Sequence, residues 1–256
     1  DPAGSGSRRG ARYFRRMRFL LVLLLLISAL PARAQDVDLE LVLLADASGS
    51  ISEAEIRFQR EGYARAITDP RVISAIEGTA YQSIAVTYVE WAANTAVVVD
   101  WMRIDGPASA SVFAGRLLDP PRQAYGRNAI GTAMLDAKRL IEQNAFDGWR
   151  KVIDFSGDSP NSYSGPSIAE ARAEVLAAGI TINGLPILCR SCDTASRFPD
   201  LGRIYEERII GGRGAFVVTA ASEEDLADAI IRKLILEISD RMPDRDFAGN
   251  PARPHP

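Results

Sequence analysis

The sequence predicts an α/β protein: a three-layer, doubly wound, mostly parallel sheet with one antiparallel edge strand. Three observations carry this. Short β-rich apolar runs alternate with amphipathic helical stretches along most of the 256 residues, the pattern of a sheet covered by helices. The run LELVLLAD, 39–46, is apolar almost without a break, as in a strand buried on both faces. Only Ala92-Ala93-Asn94 separates SIAVTYVEW from TAVVVDWMRI, and so short a link permits an antiparallel hairpin but no parallel crossover.

Residues 1–34 stand apart from this pattern. Arg15, Arg16 and Arg18 flank Met17, the apolar run FLLVLLLLISAL follows from Phe19 to Leu30, and Ala32-Arg33-Ala34 has the small-x-small form of a cleavage site. This is the make-up of a secretory signal peptide, with residues 1–16 upstream of its start. An uncleaved membrane anchor is the alternative, although a bilayer span needs about 20 apolar residues. The expected mature chain, Gln35–Pro256, keeps 23 of the 30 basic and 32 of the 33 acidic residues, a net charge of −9. Such a surface repels nucleic acid and anionic headgroups. Membrane association is expected only if the leader stays uncleaved.

From its N-terminus the domain, expected over 37–240, reads as follows. After the strand 39–46, Ser52-Glu53-Ala54-Glu55 has capping-box form, with Ile51 and Ile56 at the positions of a hydrophobic staple, so a helix runs to about Ile67. The hairpin strands are 83–91 and 95–104. Helices follow at 107–117 and 129–144, then the strand KVIDFS, 151–156, and the polar loop GDSPNSYSG. A helix at 167–178 leads to the strand ITINGLPIL, 180–188. A short helix near 200–206 precedes a final strand, GAFVVTA. The last helix opens at Ser222 with an acidic first turn, and Leu226, Ala229, Ile230, Leu234 and Ile238 recur at helical spacing. The Pro-, Asp- and Arg-rich tail, 241–256, is expected to be disordered.

Ligands of open α/β sheets bind beyond the carboxyl ends of the strands. Three polar loops should meet there: DASGS, YGRNAIG (125–131) and SGDSPNS (156–162). They offer Asp46, Ser48, Ser50, Asn128 and Asp158. Residues i, i+2 and i+4 of an extended loop can project to one side, while Ala47 and Gly49 let the backbone close round a point. These are hard oxygen donors, suited to Mg²⁺, Mn²⁺ or Ca²⁺. The alternative is a plain polar turn with helix-capping residues.

Asp46-Ala47-Ser48-Gly49-Ser50 after a buried strand resembles the D-x-S-x-S signature of von Willebrand factor type A domains, carried by their metal-ion-dependent adhesion site. The element order matches over roughly 37–240. YVEW, Trp101, VIDFSGD, INGLPI and IIGGRGAF resemble more narrowly an exported bacterial family of these domains, DUF1194. The resemblance implies an α/β fold, a bound dication with one open coordination position, and a protein partner whose acidic side chain fills it. Two places depart from the pattern. The usual threonine of the second loop falls on Asn128, with Thr132 expected inside the following helix. The usual T-D-G of the third loop is Ser156-Gly157-Asp158, its acid displaced by one.

Two other readings were weighed. A haloacid-dehalogenase-like Mg²⁺-dependent phosphohydrolase shares an Asp after the first strand and a late Gly-Asp, here Gly157-Asp158. It needs acids where Ser48 and Ser162 stand, and without them loses its general acid and part of its magnesium cage. The other is a scaffold whose metal site is vestigial. A Ser-His-acid triad is excluded from the domain, since the one histidine, His255, lies in the tail. Cys189 and Cys192 are expected to form a local disulfide in an oxidising compartment, a catalytic dithiol being the alternative. Trp91, Trp101 and Trp149 are read as core or rim packing residues, a ligand-stacking set being the alternative. Arg127 is either a steering group for an acidic ligand or an ordinary solvated arginine.

Overall fold

The computed structural model describes residues 34–188, 198, 200–220 and 223–240. The leader, both cysteines and the tail from 241 lie outside the described residues. The described residues from Gln35 onward belong to one compact unit.

Five strands form one sheet: β1 (Gln35–Asp46), β2 (Ile84–Trp91), β3 (Thr95–Ile104), β4 (Phe146–Gly157) and β5 (Thr181–Pro186). Their order is β3-β2-β1-β4-β5. β1 runs parallel to both β2 and β4, β4 runs parallel to β5, and only β2 and β3 are antiparallel. The expected fold class therefore holds. Among the described residues seven helices cover the sheet: α1 (Glu53–Ile67), α2 (Pro70–Glu77), α3 (Pro107–Leu118), α4 (Ile130–Gln143), α5 (Ile168–Ala177), α6 (Leu201–Arg208) and α7 (Glu223–Ser239).

The two-residue period of β1 divides the core. Leu39, Leu41, Leu43 and Ala45 pack with Tyr63 of α1, Val72 and Ile76 of α2, Phe113 of α3, and Leu226, Ile230 and Leu234 of α7. Val42 and Leu44 face the other way, onto Ile130 and Met134 of α4, Val175 of α5 and Tyr205 of α6. β1 is thus apolar on both faces because helices cover both. Strand order reverses between β2 and β4 on either side of β1. That places a crevice at the carboxyl ends of β1 and β4.

Local chemistry explains the boundaries. Ser52 and Glu55 make the reciprocal capping box at the start of α1, and Ile51 and Ile56 share one small buried cluster. Helix α2 had no counterpart in the sequence reading, although Asp69 caps it and Pro70 occupies its first turn, a legible start signal. Strand β4 begins five residues earlier than expected and pairs Phe146 with Gln35.

The expected final strand needs correction. Residues 216–220 meet β5 only through isolated bridges, Gly184–Val217 and Ile187–Ala220. Gly184 N–H donates to Phe216 O, Val218 N–H to Gly184 O, Ala220 N–H to Pro186 O and Leu188 N–H to Ala220 O. The rung between them would need an N–H at residue 186, and proline has none. The ladder is broken by one missing donor.

Candidate metal centre

The DASGS segment leaves β1 directly into the crevice. Ala47 N–H donates to Trp91 O at 2.9 Å, holding the turn to the end of β2, and Gln59 of α1 donates to Asp46 O at 3.2 Å. Arg122 gathers the carbonyls of this turn. Its guanidinium donates to Ala47 O, to Ser48 O at 3.0 Å, to Ile51 O at 3.1 Å and to Ala124 O at 2.9 Å. With its carbonyls so engaged, the turn presents its side-chain oxygens elsewhere.

Hydrogen bonds tie these side chains together, partly through the backbone. Ser48 N–H donates to Asp46 Oδ1 at 2.8 Å. Ser48 Oγ lies 3.2 Å from Ser50 Oγ, and Ser50 Oγ donates to Asp158 Oδ1 at 3.2 Å. Asp158 N–H returns to Asp46 Oδ2 at 3.5 Å. Asp46 and Ser48 are buried, while Ser50 is exposed. The Asp46 carboxyl is pushed up to about 7, first by burial and then by the negative charge of Asp158, against the stabilising hydrogen bonds from Ser48. A buried carboxylate beside another is electrostatically costly, and a cation between them would relieve that cost.

Asn128 is also buried, at 6% exposure. Its loop is tied to both others: Gly49 N–H donates to Gly126 O at 2.8 Å, and Tyr163 N–H to Asn128 O at 2.8 Å. Its amide Nδ2 is buried without a hydrogen-bond partner. Amide orientation follows from the hydrogen-bond network, and turned over, this group presents an oxygen at the same place. Thr132 sits in α4, and its Oγ1 packs against Gly165. Among the described residues no group of three or more His, Cys, Asp or Glu side chains could hold a metal. Any dication here would be held by two carboxylates with hydroxyl and amide oxygens. The orphaned amide, the crowded acid pair and the hard donor set fit such an ion.

Further residues shape the centre, and Trp91, expected to pack, does so. Trp91 is fully buried, stacks on Phe155 at 5.0 Å and donates from its indole to Ser156 O at 3.1 Å. Gly157 is required: a Cβ there would lie 2.9 Å from Asp46 Oδ2, 2.9 Å from the Tyr205 hydroxyl and 3.0 Å from the Trp91 ring. Ser162 of the third loop accepts from Ile130 N–H at 3.1 Å and so caps α4 from outside it. Arg60 and Glu90 form a buried ion pair at 2.6 Å, and Glu90 accepts from Gln123 N–H at 2.9 Å, fixing the chain beside Arg122. None of these has a local sequence signature, because each contact joins residues far apart in the chain.

The rim carries aromatic and basic groups. Arg127 lies over the Tyr163 ring at 3.8 Å, and Arg122 over Tyr125 at 5.1 Å. Tyr125 and Tyr163 are more than half exposed. Trp101 is half-buried beside Phe146, but Trp149 is 68% exposed, edge-on to Tyr81 and at the other end of the sheet. Trp149 thus packs at the rim and not in the core.

An α/β sheet of this order, with an aspartate- and serine-bearing turn at its switch point, has the fold of von Willebrand A domains. Solved structures agree on the fold. The pilus adhesin SpaC from Lactobacillus rhamnosus GG matches with TM-score 0.57 and 11% identity over 81% of this chain and 32% of its own. Proximal thread matrix protein 1 from the mussel byssus, in a structure with a zinc-occupied MIDAS motif, matches with TM-score 0.55 and 14% identity over 80% of this chain and 46% of its own. The vWF domain of the type V pili tip protein Mfa5 from Porphyromonas gingivalis matches with TM-score 0.52 and 10% identity, over 85% of this chain and 98% of that domain. This chain thus spans less than half the length of the adhesin and the byssus protein. No curated protein matches the sequence. The DUF1194 family model, described as a protein of unknown function, matches residues 36–242, and the chain belongs to that family.

Proposed function

We propose that this domain, residues 37–240, is an exported binding module that captures an acidic side chain of a protein partner through a dication, Mg²⁺ or else Mn²⁺ or Ca²⁺. Asp46, Ser48, Ser50, Asn128 and Asp158 would hold the ion directly or through its waters. The ion supplies positive charge at an otherwise acidic centre and a coordination position for an incoming carboxylate. One observation carries the reading: the side-chain oxygens of Ser48, Ser50 and Asp158 are hydrogen-bonded in a row across two loops 108 residues apart, and the backbone N–H groups of Ser48 and Asp158 both hold the Asp46 carboxylate beside them. The exposed Tyr125, Tyr163 and Arg127 round it have the composition of binding hot spots, and Arg127 would favour the approach of an acidic partner. The adhesin and matrix-protein likenesses support binding over catalysis as the role. Export is supported by the leader, and among the described residues no helix is long and apolar enough to cross a membrane.

The test is calorimetric titration of Mg²⁺ and Mn²⁺ into the wild type and Asp46→Ala. Saturable binding by the wild type and its loss in the variant are expected. Equal heats from both proteins would refute the site.

A further inference from the structure

The hydroxyl of Tyr205 stands out among the groups around this centre. Tyr205 lies on α6, which belongs to none of the three loops, and the residue is fully buried. Its ring is tilted against Phe155 at 5.9 Å, and Gly184 of β5 leaves room for it: a Cβ there would be 3.0 Å from the Tyr205 ring. The ring is therefore held on both sides. Its hydroxyl is buried with no hydrogen-bond partner. That hydroxyl and Asp46 Oδ2 both lie 2.9 Å from the point where a Gly157 side chain would begin. The missing side chain of Gly157 thus lets a phenol and a carboxylate face one spot.

Buried hydroxyls are rarely left without a partner, and each exception calls for a reason. A phenol hydroxyl carries one proton to donate, and this one is aimed at the same spot as Asp46 Oδ2. Its neighbours are acceptors, yet none stands within bonding distance.

We propose that Tyr205 is a positioning residue of the cation centre, its hydroxyl reserved as a donor to an oxygen held at Asp46, such as a water of the ion's hydration shell. The inference rests on the metal-binding reading above. It makes α6 a fourth element of the site, and it explains why a glycine separates Ser156 from Asp158.

Tyr63 provides an internal comparison. Its hydroxyl is also buried, but it lies near Asp154 and Ser156, among the groups on the other face of the sheet. Mg²⁺ is titrated calorimetrically into the full chain as wild type, Tyr205→Phe and Tyr63→Phe, with thermal unfolding of each metal-free protein measured alongside. Tyr205→Phe keeps the ring and removes one orphaned hydroxyl, so its metal-free melting temperature should equal or exceed that of the wild type. Its Mg²⁺ affinity should fall about tenfold, the scale of one hydrogen bond to a charged assembly. Tyr63→Phe should leave affinity unchanged. In the wild type, Mg²⁺ should also perturb the tyrosine band of the near-ultraviolet difference spectrum, and Tyr205→Phe should abolish that change. Wild-type affinity in Tyr205→Phe, or an equal loss in Tyr63→Phe, would overturn the role of Tyr205 while leaving the metal site standing. A wild type that takes up no Mg²⁺ would overturn the metal reading itself and Tyr205's role with it.

Discussion

Ser50 donates a hydrogen bond to Asp158 at 3.2 Å across 108 residues of sequence. The contact joins the turn after β1 to the turn after β4, and it exists because β1 and β4 are parallel neighbours ending at one edge. Two loops with no sequence relation become a single arc of oxygens.

The first prediction concerns the backbone that supports this arc. Arg122, at 10% side-chain exposure, donates to the carbonyls of Ala47, Ser48 and Ile51. Arg122→Ala strands them and should cost about 2–4 kcal/mol of unfolding free energy. Arg122→Lys should recover only part of it, because an ammonium lacks the planar fork that reaches several carbonyls at once. Denaturant unfolding of the three proteins measures this; equal stability of Arg122→Ala and wild type would remove the residue from the account.

Gly157→Ala should harm both the fold and the site. The added methyl would meet Asp46 Oδ2, the Tyr205 hydroxyl and Trp91 at 2.9–3.0 Å, and overpacking of this kind costs about 1–3 kcal/mol. Thermal unfolding should show the loss, and Mg²⁺ affinity should drop with it. A variant with normal stability and normal affinity would mean the crevice is looser than described.

A third prediction concerns pH and lies away from the site. Asp154, Lys233 and Glu237 are buried together, with Lys233 Nζ 2.8 Å from Asp154 Oδ1. Burial pushes Asp154 up to about 7; Lys233 opposes the shift and Glu237 adds to it. Because its folded value stands above its unfolded one of 3.8, its contribution is fully present below pH 4 and is lost as pH rises through about 7. Asp154→Asn should therefore flatten the fall in melting temperature over that window. An unchanged slope would show that the carboxyl titrates normally.

The fourth separates binding from catalysis. Ser48 and Ser162 occupy places where a phosphohydrolase of the related fold needs acids, and Ser162 Oγ is engaged with Ile130 N–H. Incubation with Mg²⁺ and a generic phosphate ester should give no turnover that depends on Asp46. Hydrolysis abolished by Asp46→Asn would reverse the assignment.

The sequence carried the fold where local chemistry is self-sufficient. The apolar run before DASGS, the Ser52 capping box and the three-residue hairpin link each declare their geometry without help from distant residues. The start of α2 at Asp69-Pro70 is an equally local signal. The broken ladder beside Pro186 needed knowledge of which residues lie opposite. For the site, residue spacing pointed to Asp46, Ser48 and Ser50, and the polar loop after β4 pointed to Asp158. The packing of Trp91 was foreseen, but the parts played by Arg122, Gly157 and Tyr205 were not, because they arise only when strand order brings β4, β5 and α6 against the end of β1.

The central claim is tested most directly by growing crystals of the protein with Mn²⁺ and calculating an anomalous difference map. The account predicts one strong peak bounded by oxygens of Asp46, Ser48, Ser50, Asn128 and Asp158, or by waters they hold. A map without a peak there, with the Asp46 carboxyl turned from Ser48 and Ser50, would contradict it.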